Sequence, residues 1–457
     1  MIICQWVSRE QRRTYTNART ASGDELNTAA ELEELSEASY DRSLFASLKV
    51  RDYLYLWIGM FGSAFAMNMQ IVAQGWLVYE MSSSAVDLAW VTLASTVPQF
   101  LFSLPGGVLA DRIPKKPIIG LAPIINCGAT IVMTWIIFTG NVGFWEFVWV
   151  GFLNGTVMSL SIPARTAVIP EVVGERLMFN AMAFNTAAWN LSRILGPALA
   201  GYMIALLADG DTTSTFGVGC VFAVISALYL VSGVSVLLIK HDGQPTRQAT
   251  SQHPLTDIGE CLVYVIRSPV VGGLILLSIL PFMFGLSINT LLPAFNRDVL
   301  FGGADDLGLL MTAMGIGAIL GALLLAKLGG TRHKGYWVLG TSAVWGIGVT
   351  WFALSSTFSL AFLTIAFIGF VSSINMSMNR SLVQLQVDHA MRGRVMSIDM
   401  MSHGFMPLGV LPISWVSEVY GVSWGLALSG VILCVATIIM GTAMKGVRGI
   451  DTGYVSR

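Results

Sequence analysis

Charged residues are scarce: Asp, Glu, Lys and Arg make up 12% of the 457 positions, about half the roughly 25% of an average soluble domain. A water-facing exterior on a chain this long needs more charge than that, so most of the surface must meet an apolar medium. Clustered basic charge is missing as well. With a net charge of −1 the chain has no footprint for phosphate backbones, and no nucleic-acid partner is expected. The five cysteines, Cys4, Cys127, Cys220, Cys261 and Cys434, are far apart and mostly inside apolar runs. They supply neither a disulfide framework nor a zinc set. Neither an H-E-x-x-H motif nor a phosphate-cradling G-x-x-x-x-G-K-[ST] loop occurs, which leaves out a zincin-type centre and ATP as a fuel bound by this chain. No enzymatic activity and no cofactor are expected.

Hydrophobic residues, by contrast, reach 54% and are gathered into long runs. A helix needs about 20 mostly apolar residues to cross the hydrocarbon layer. Twelve windows meet that need: 54–79, 86–110, 117–139, 143–163, 178–208, 216–239, 270–295, 306–327, 336–356, 359–380, 394–418 and 423–444. The fold class is therefore an all-α polytopic membrane protein, with the lipid bilayer as its main surroundings. Residues 1–50 differ in composition. Arg9, Arg12, Arg13 and Arg19 come first, then Glu31, Glu33, Glu34 and Glu37, and Thr14 to Glu34 contains no apolar stretch of the kind a secretory signal has. This segment reads as a cytoplasmic tail, with a short interfacial helix or a solvated linker around Leu44 to Arg51.

An inside N-terminus can be tested by counting basic residues. Of the 26 Lys and Arg, Arg297 alone then falls in an outer loop, whereas Asp209, Asp211, Asp305 and Asp306 lie outside. This asymmetry places both termini in the cytoplasm. The longest connection, 240–269, is polar and separates two sets of six windows. The expected organisation is a tail (1–50), a six-helix bundle (51–239), a cytoplasmic linker (240–269), a second six-helix bundle (270–444) and a short C-terminal tail (445–457). Related halves suit alternating access, because a site between them can face either side as they rock.

Between the second and third windows lies Gly106-Gly107-Val108-Leu109-Ala110-Asp111-Arg112-Ile113-Pro114-Lys115-Lys116-Pro117. Gly107 permits close helix contact, Asp111 offers a carboxylate at the membrane face, and Arg112, Lys115 and Lys116 hold the turn on the inner side. This block resembles the G-x-x-x-D-R-x-G-R-K signature of the major facilitator superfamily, with Pro114 in place of the usual second Gly. Ser161-Ile162-Pro163-Ala164-Arg165-Thr166-Ala167-Val168-Ile169-Pro170-Glu171, Asn180-Ala181, Gln74-Gly75-Trp76, Arg392-Gly393-Arg394 and Pro407-Leu408-Gly409 are similar to the enterobactin-exporter and macrolide-efflux branch. The resemblance implies an inner-membrane exporter of bulky, partly apolar small molecules, driven by proton antiport. An importer or facilitator of a small metabolite or lipid, or a receptor-like protein on the same fold, stays open as an alternative. A monomer is expected.

Within this frame several residues stand out. Arg193 lies about 15 residues into the fifth window, far from either end, where a cation needs a partner or a water-filled cavity. Gly196, Pro197 and Gly201 follow, a close-packing and bending motif that resembles the antiporter signature. Asp399 and His403, four apart in the eleventh window, are the best candidates for carrying protons. Cavity polarity can come from Asn68, Gln74, Gln99, Asn190, Asn289 and Asn379. Finally, Asp111 is expected to latch onto the start of the eleventh window near Arg394, together with Gly107 and Arg112, because a helix start offers free N–H groups and partial positive charge.

Overall fold

The computed structural model describes residues 45–208, 215–243, 263–327, 332–387 and 392–450; the side chains of 103–105, 107–112, 392–394, 397 and 400 are outside that description. The elements are helical throughout: α1 (Arg51–Ser82), α2 (Ala85–Arg112), α3 (Lys115–Phe138), α4 (Phe144–Leu207), α5 (Thr215–Leu237), α6 (Pro269–Leu280), α7 (Ser287–Asp298), α8 (Ala304–Lys327), α9 (Lys334–Ala353), α10 (Phe358–Gln386), α11 (Arg392–Met401), α12 (Met406–Tyr420), α13 (Val422–Ala443) and α14 (Lys445–Arg448). Every one of the twelve apolar windows coincides with helix. Among the described residues, nine stretches are long and apolar enough to cross a membrane. α4 holds two of the windows, α9 is not among the nine, and the break leaves α11 and α12 each too short to count alone.

The exterior fits lipid. Trp135, Trp149 and Trp424 are 69%, 68% and 70% exposed, a state that water would penalise and a bilayer does not. Trp135 ends α3, Trp145 starts α4 and Trp424 starts α13, which forms an aromatic belt near one membrane boundary. Interior helix faces carry small residues instead. A β-carbon at Gly201 would strike the Ala304 carbonyl oxygen, and one at Gly308 would strike that of Pro197. In a lipid environment such close backbone contact holds helices together.

Three departures from regular helix shape the molecule. The segment expected as a loop between the fourth and fifth windows stays helical, because Ala164, Val168, Ile169 and Val173 recur at helical spacing and are buried. Only Gly174, with φ of 72°, turns the chain there, a backbone region that favours glycine. Second, a π-helical turn, Pro281–Gly285, separates α6 from α7. Third, a 3₁₀ turn, Ser402–Phe405, separates α11 from α12. The last two breaks meet each other: the rings of Phe282 and His403 are 3.8 Å apart. Irregular backbone at membrane depth is tolerated where it is buried in protein or lines a cavity.

Ahead of α1, the interfacial stretch forms a single 3₁₀ turn, Ser47–Lys49. Ser47 is held by Asn180, its amide and hydroxyl donating to Oδ1 at 3.1 and 2.6 Å. Tyr53 donates to the Ala181 carbonyl at 2.6 Å. The Asn180-Ala181 pair thus has a packing role. We call the face that carries residues 45–50 and 445–450 proximal, and the opposite one distal.

Candidate functional site

Asp399 is 5% exposed and sits at the wall of a cavity of about 190 Å³ lined by α6, the π turn, α9, α10, α11 and the 3₁₀ turn. Ser278 donates to Asp399 Oδ1 at 2.5 Å, and Asn379 donates to Ser278 Oγ at 2.7 Å. Arg380 Nε is 3.6 Å from Asp399 Oδ2. The carboxylate therefore has one short hydrogen bond, one relayed donor and one loose, half-exposed cation, an arrangement in which its second oxygen is easily approached. His403 lines the same cavity. The change from α to 3₁₀ geometry at Ser402 lies between it and Asp399, so the pair is related through a shared wall, and the His403 ring lies tilted against Phe282. Trp345 Nε1, Asn375 Oδ1 and Asn379 Oδ1 are buried without a protein hydrogen bond and belong to residues lining this cavity. The space is large enough to hold several waters.

Arg193 is exposed and, among the described residues, makes no hydrogen bond or ion pair. Its backbone lies against Gly315 of α8. Asn185 and Trp189, eight and four residues earlier on the same helix face, line a second cavity, so Arg193 continues that face towards the middle of the molecule. Gly196 packs on α1, where an added β-carbon would lie 2.9 Å from Asn68 Cβ. Of the expected cavity amides, Asn379 lines the Asp399 cavity. Asn68 is buried and donates to Ala64 O at 2.8 Å, a bond within its own helix. Gln74 accepts from Gln70 at 3.3 Å, Gln99 and Asn190 are half-buried, and Asn289 Oδ1 is buried without a protein partner.

The second cavity was not foreseen. It measures about 70 Å³, lies among α1, α3, α4 and α5, and is lined by Arg165. In the sequence Arg165 counts as one more inner-side positive charge. Its place inside the Pro163-Ala164-Arg165 run, preceded by apolar helix, was the available signal: continued helix carries it inward between neighbours. Arg165 Nη2 donates to Ser63 Oγ at 3.3 Å, while its Nε is buried without a partner.

The two faces are held differently. On the proximal face Lys115, only 1% exposed, pairs with Glu171 at 2.7 Å, and His241 Nε2 lies 3.2 Å from the other Glu171 oxygen. Burial pushes the Glu171 carboxyl up, but hydrogen bonds and charge from Lys115 and His241 outweigh it and hold it below the ordinary 4.5. Asp52 accepts from the Lys240 and His241 amides at 3.1 Å each. On the distal face the two helix sets are bridged directly. Tyr79 donates to Asp298, Arg297 Nε is 3.3 Å from Glu80, and Glu418 accepts from the amides of Ala85 and Val86 at 2.8 and 3.5 Å. Glu418, at the end of α12, thus caps the start of α2. The expected latch falls at the other end of this contact: Gly107, Asp111 and Arg112 are in α2 and Arg394 is in α11, and their side chains lie outside the described residues.

One letter match to the hydrolase pattern Gly-x-Ser-x-Gly occurs at Gly421-Val422-Ser423-Trp424-Gly425. It joins α12 to α13, whereas a nucleophile elbow needs a strand before the serine.

Residues 42–450 match the family described as transmembrane secretion effector. The chain is 26% identical to the staphyloferrin A transporter of Staphylococcus aureus, over 85% of this chain and 92% of that protein. It is 26% identical to the enterobactin exporter EntS of Citrobacter koseri, over 74% and 76%, and 24% identical to the multidrug efflux pump Tap of Mycolicibacterium fortuitum, over 82% and 91%. Among solved structures it resembles the nucleoside transporter NupG (TM-score 0.64, 16% identity, 85% of this chain and 99% of that one). It also resembles a D-xylose-proton symporter (TM-score 0.64, 16% identity, 87% and 98%).

Proposed function

The chain belongs to the transmembrane secretion effector family of the major facilitator superfamily, and from that premise we propose that it exports a bulky, partly apolar small molecule by proton-coupled alternating access. It is a multi-pass membrane transporter. The relatives named for siderophore and drug export support the cargo class. The proximal face, which collects the basic residues, is the cytoplasmic one, and the membrane is the inner membrane of a bacterial cell. Two bundles, 51–239 and 270–444, move about each other with the 240–269 linker between them, and the transporter works as a monomer. No step of bond chemistry is assigned to it.

The observation that carries the coupling is the buried Asp399 carboxylate in a cavity that water can enter, set between Ser278 and Arg380. A proton arriving at Asp399 removes the charge that Arg380 neutralises, so loading and unloading change the electrostatics of the cavity wall. His403 shares that wall and is the second titratable group. The test is transport by purified protein in vesicles. Asp399→Asn is expected to lose pH-driven accumulation while keeping exchange of cargo at equal concentration. Loss of both modes would make Asp399 structural. Export from cells that is unaffected by a proton uncoupler would refute coupling altogether.

A further inference from the structure

The Arg165 cavity has a cation and no acid. Its lining contains Met60, Ser63, Asn126, Asn185, Trp189 and Tyr229 beside further apolar groups, and no Asp or Glu. Within the described residues the only hydrogen bond of the Arg165 side chain goes to Ser63. A guanidinium withdrawn from water loses far more hydration than one serine returns, and such charges persist where an anion meets them. Its Nε is buried and unpartnered, as are the amide oxygens of Asn126 and Asn185. The Asn185 amide can turn by 180° to present its NH₂ group, and Asn126 is hydrogen-bonded to Tyr229. Tyr229 lies beside both Arg165 and Asn126. Donors therefore converge from α4 and α5 on one small space.

That space is about 70 Å³. Its polar end is large enough to admit a carboxylate. Asn185 and Trp189 connect it along one helix face with Arg193, so a molecule anchored here by an acid group can lay its apolar body along α4. We propose that the Arg165 cavity is a binding site for a single carboxylate-class anion carried by the cargo. The inference rests on the export reading for its cargo, although the site itself can be measured without transport.

The experiment uses the full chain in lipid nanodiscs and compares benzoate with uncharged benzamide, read by thermal stabilisation. Benzoate is expected to stabilise the wild type and benzamide is not. Arg165→Met is expected to insert and to be at least as heat-stable as wild type without ligand, since an apolar side chain replaces an unpaired buried charge. It should bind benzoate about 10- to 100-fold more weakly, as charged hydrogen bonds are lost, with Arg165→Lys in between. Equal response to benzoate and benzamide, or unchanged benzoate affinity in Arg165→Met, overturns the proposal. A large fall in heat stability of ligand-free Arg165→Met also overturns it, by making the residue a structural one. The source of the anion is then read from transport. Arg165-dependent export of an aromatic acid but not of its methyl ester supports an anion on the cargo, whereas equal export of both with a rate that follows chloride overturns that assignment. Failure of anion binding leaves the export assay standing, and failure of export leaves the binding result standing.

Discussion

Replacing Glu418 by Gln tests how the distal face is closed. The Glu418 carboxylate accepts from Ala85 N at 2.8 Å and from Val86 N at 3.5 Å, at a helix start that carries about half a positive charge. Gln keeps an acceptor oxygen, so the substitution removes only the charge. Glu418 is exposed, which puts the loss at about 0.5–1 kcal/mol, the range of surface charge–helix and ion-pair effects. Because the contact joins the two helix sets in this state, the loss shifts the population towards a distally open form by about two- to fivefold. Tyr79→Phe removes the hydroxyl that donates to Asp298, worth about 1 kcal/mol. Tyr79 and Glu418 lie within each other's electrostatic reach, so the double variant is expected to deviate from additivity. Spin labels at Met81 and Phe301, both exposed at the distal ends, report the opening as a growing long-distance population. Salt should mimic Glu418→Gln in the wild type and have less effect in the variant. Identical distance distributions in wild type and both single variants, at low and high salt, would refute the reasoning.

Gly201→Val should force α4 from α8, because even a β-carbon collides with Ala304; the same labels should then show a distally open majority, and an unchanged distribution would sink the packing argument. Arg193→Ala is expected to insert normally and lose most transport, with Arg193→Lys a partial rescue because the planar fork is lost; a fully active, monodisperse Arg193→Ala protein contradicts this. The folded-state pKa of Glu171 is depressed below 4.5, so its contribution to stability is complete above the unfolded value and disappears as pH falls through the depressed one. Thermal unfolding followed from pH 7 to pH 3 should therefore drop more steeply in wild type than in Glu171→Gln, and parallel curves would show that the Lys115 clamp contributes nothing.

The fold was legible because a bilayer enforces two rules, apolar length and basic-side asymmetry, that both survive in a single sequence. Every window found helix. What failed to show was lateral geometry. Arg165 looked like a topogenic charge because hydropathy reports depth and not which neighbour a side chain meets. Lys115 counted only as a charge holding the turn on the inner side, yet it is buried against Glu171. The helix breaks at Pro281 and Ser402 were equally silent, since proline is tolerated within many membrane helices and only tertiary packing decides where one opens. The relation of Asp399 to Ser278, 121 positions away, has no local trace at all.

The break between α11 and α12 has a consequence for how the chain enters its membrane. Among the described residues the break leaves α11 with 10 residues and α12 with 15, each too short to cross a membrane alone, and α11 opens with Arg392 and Arg394 and carries Asp399. During synthesis a translocation channel weighs each emerging segment against lipid, and an ionised side chain near the centre costs about 2.5–3.5 kcal/mol on that scale. The segment on which the proposed proton chemistry depends is thus among those least able to partition alone. It must be received by α10 and α6, whose Asn379 and Ser278 already present a polar pocket for the carboxylate. Substitutions at Asn379 should consequently be felt first as poor yield of inserted protein, before any defect in a finished transporter can be measured.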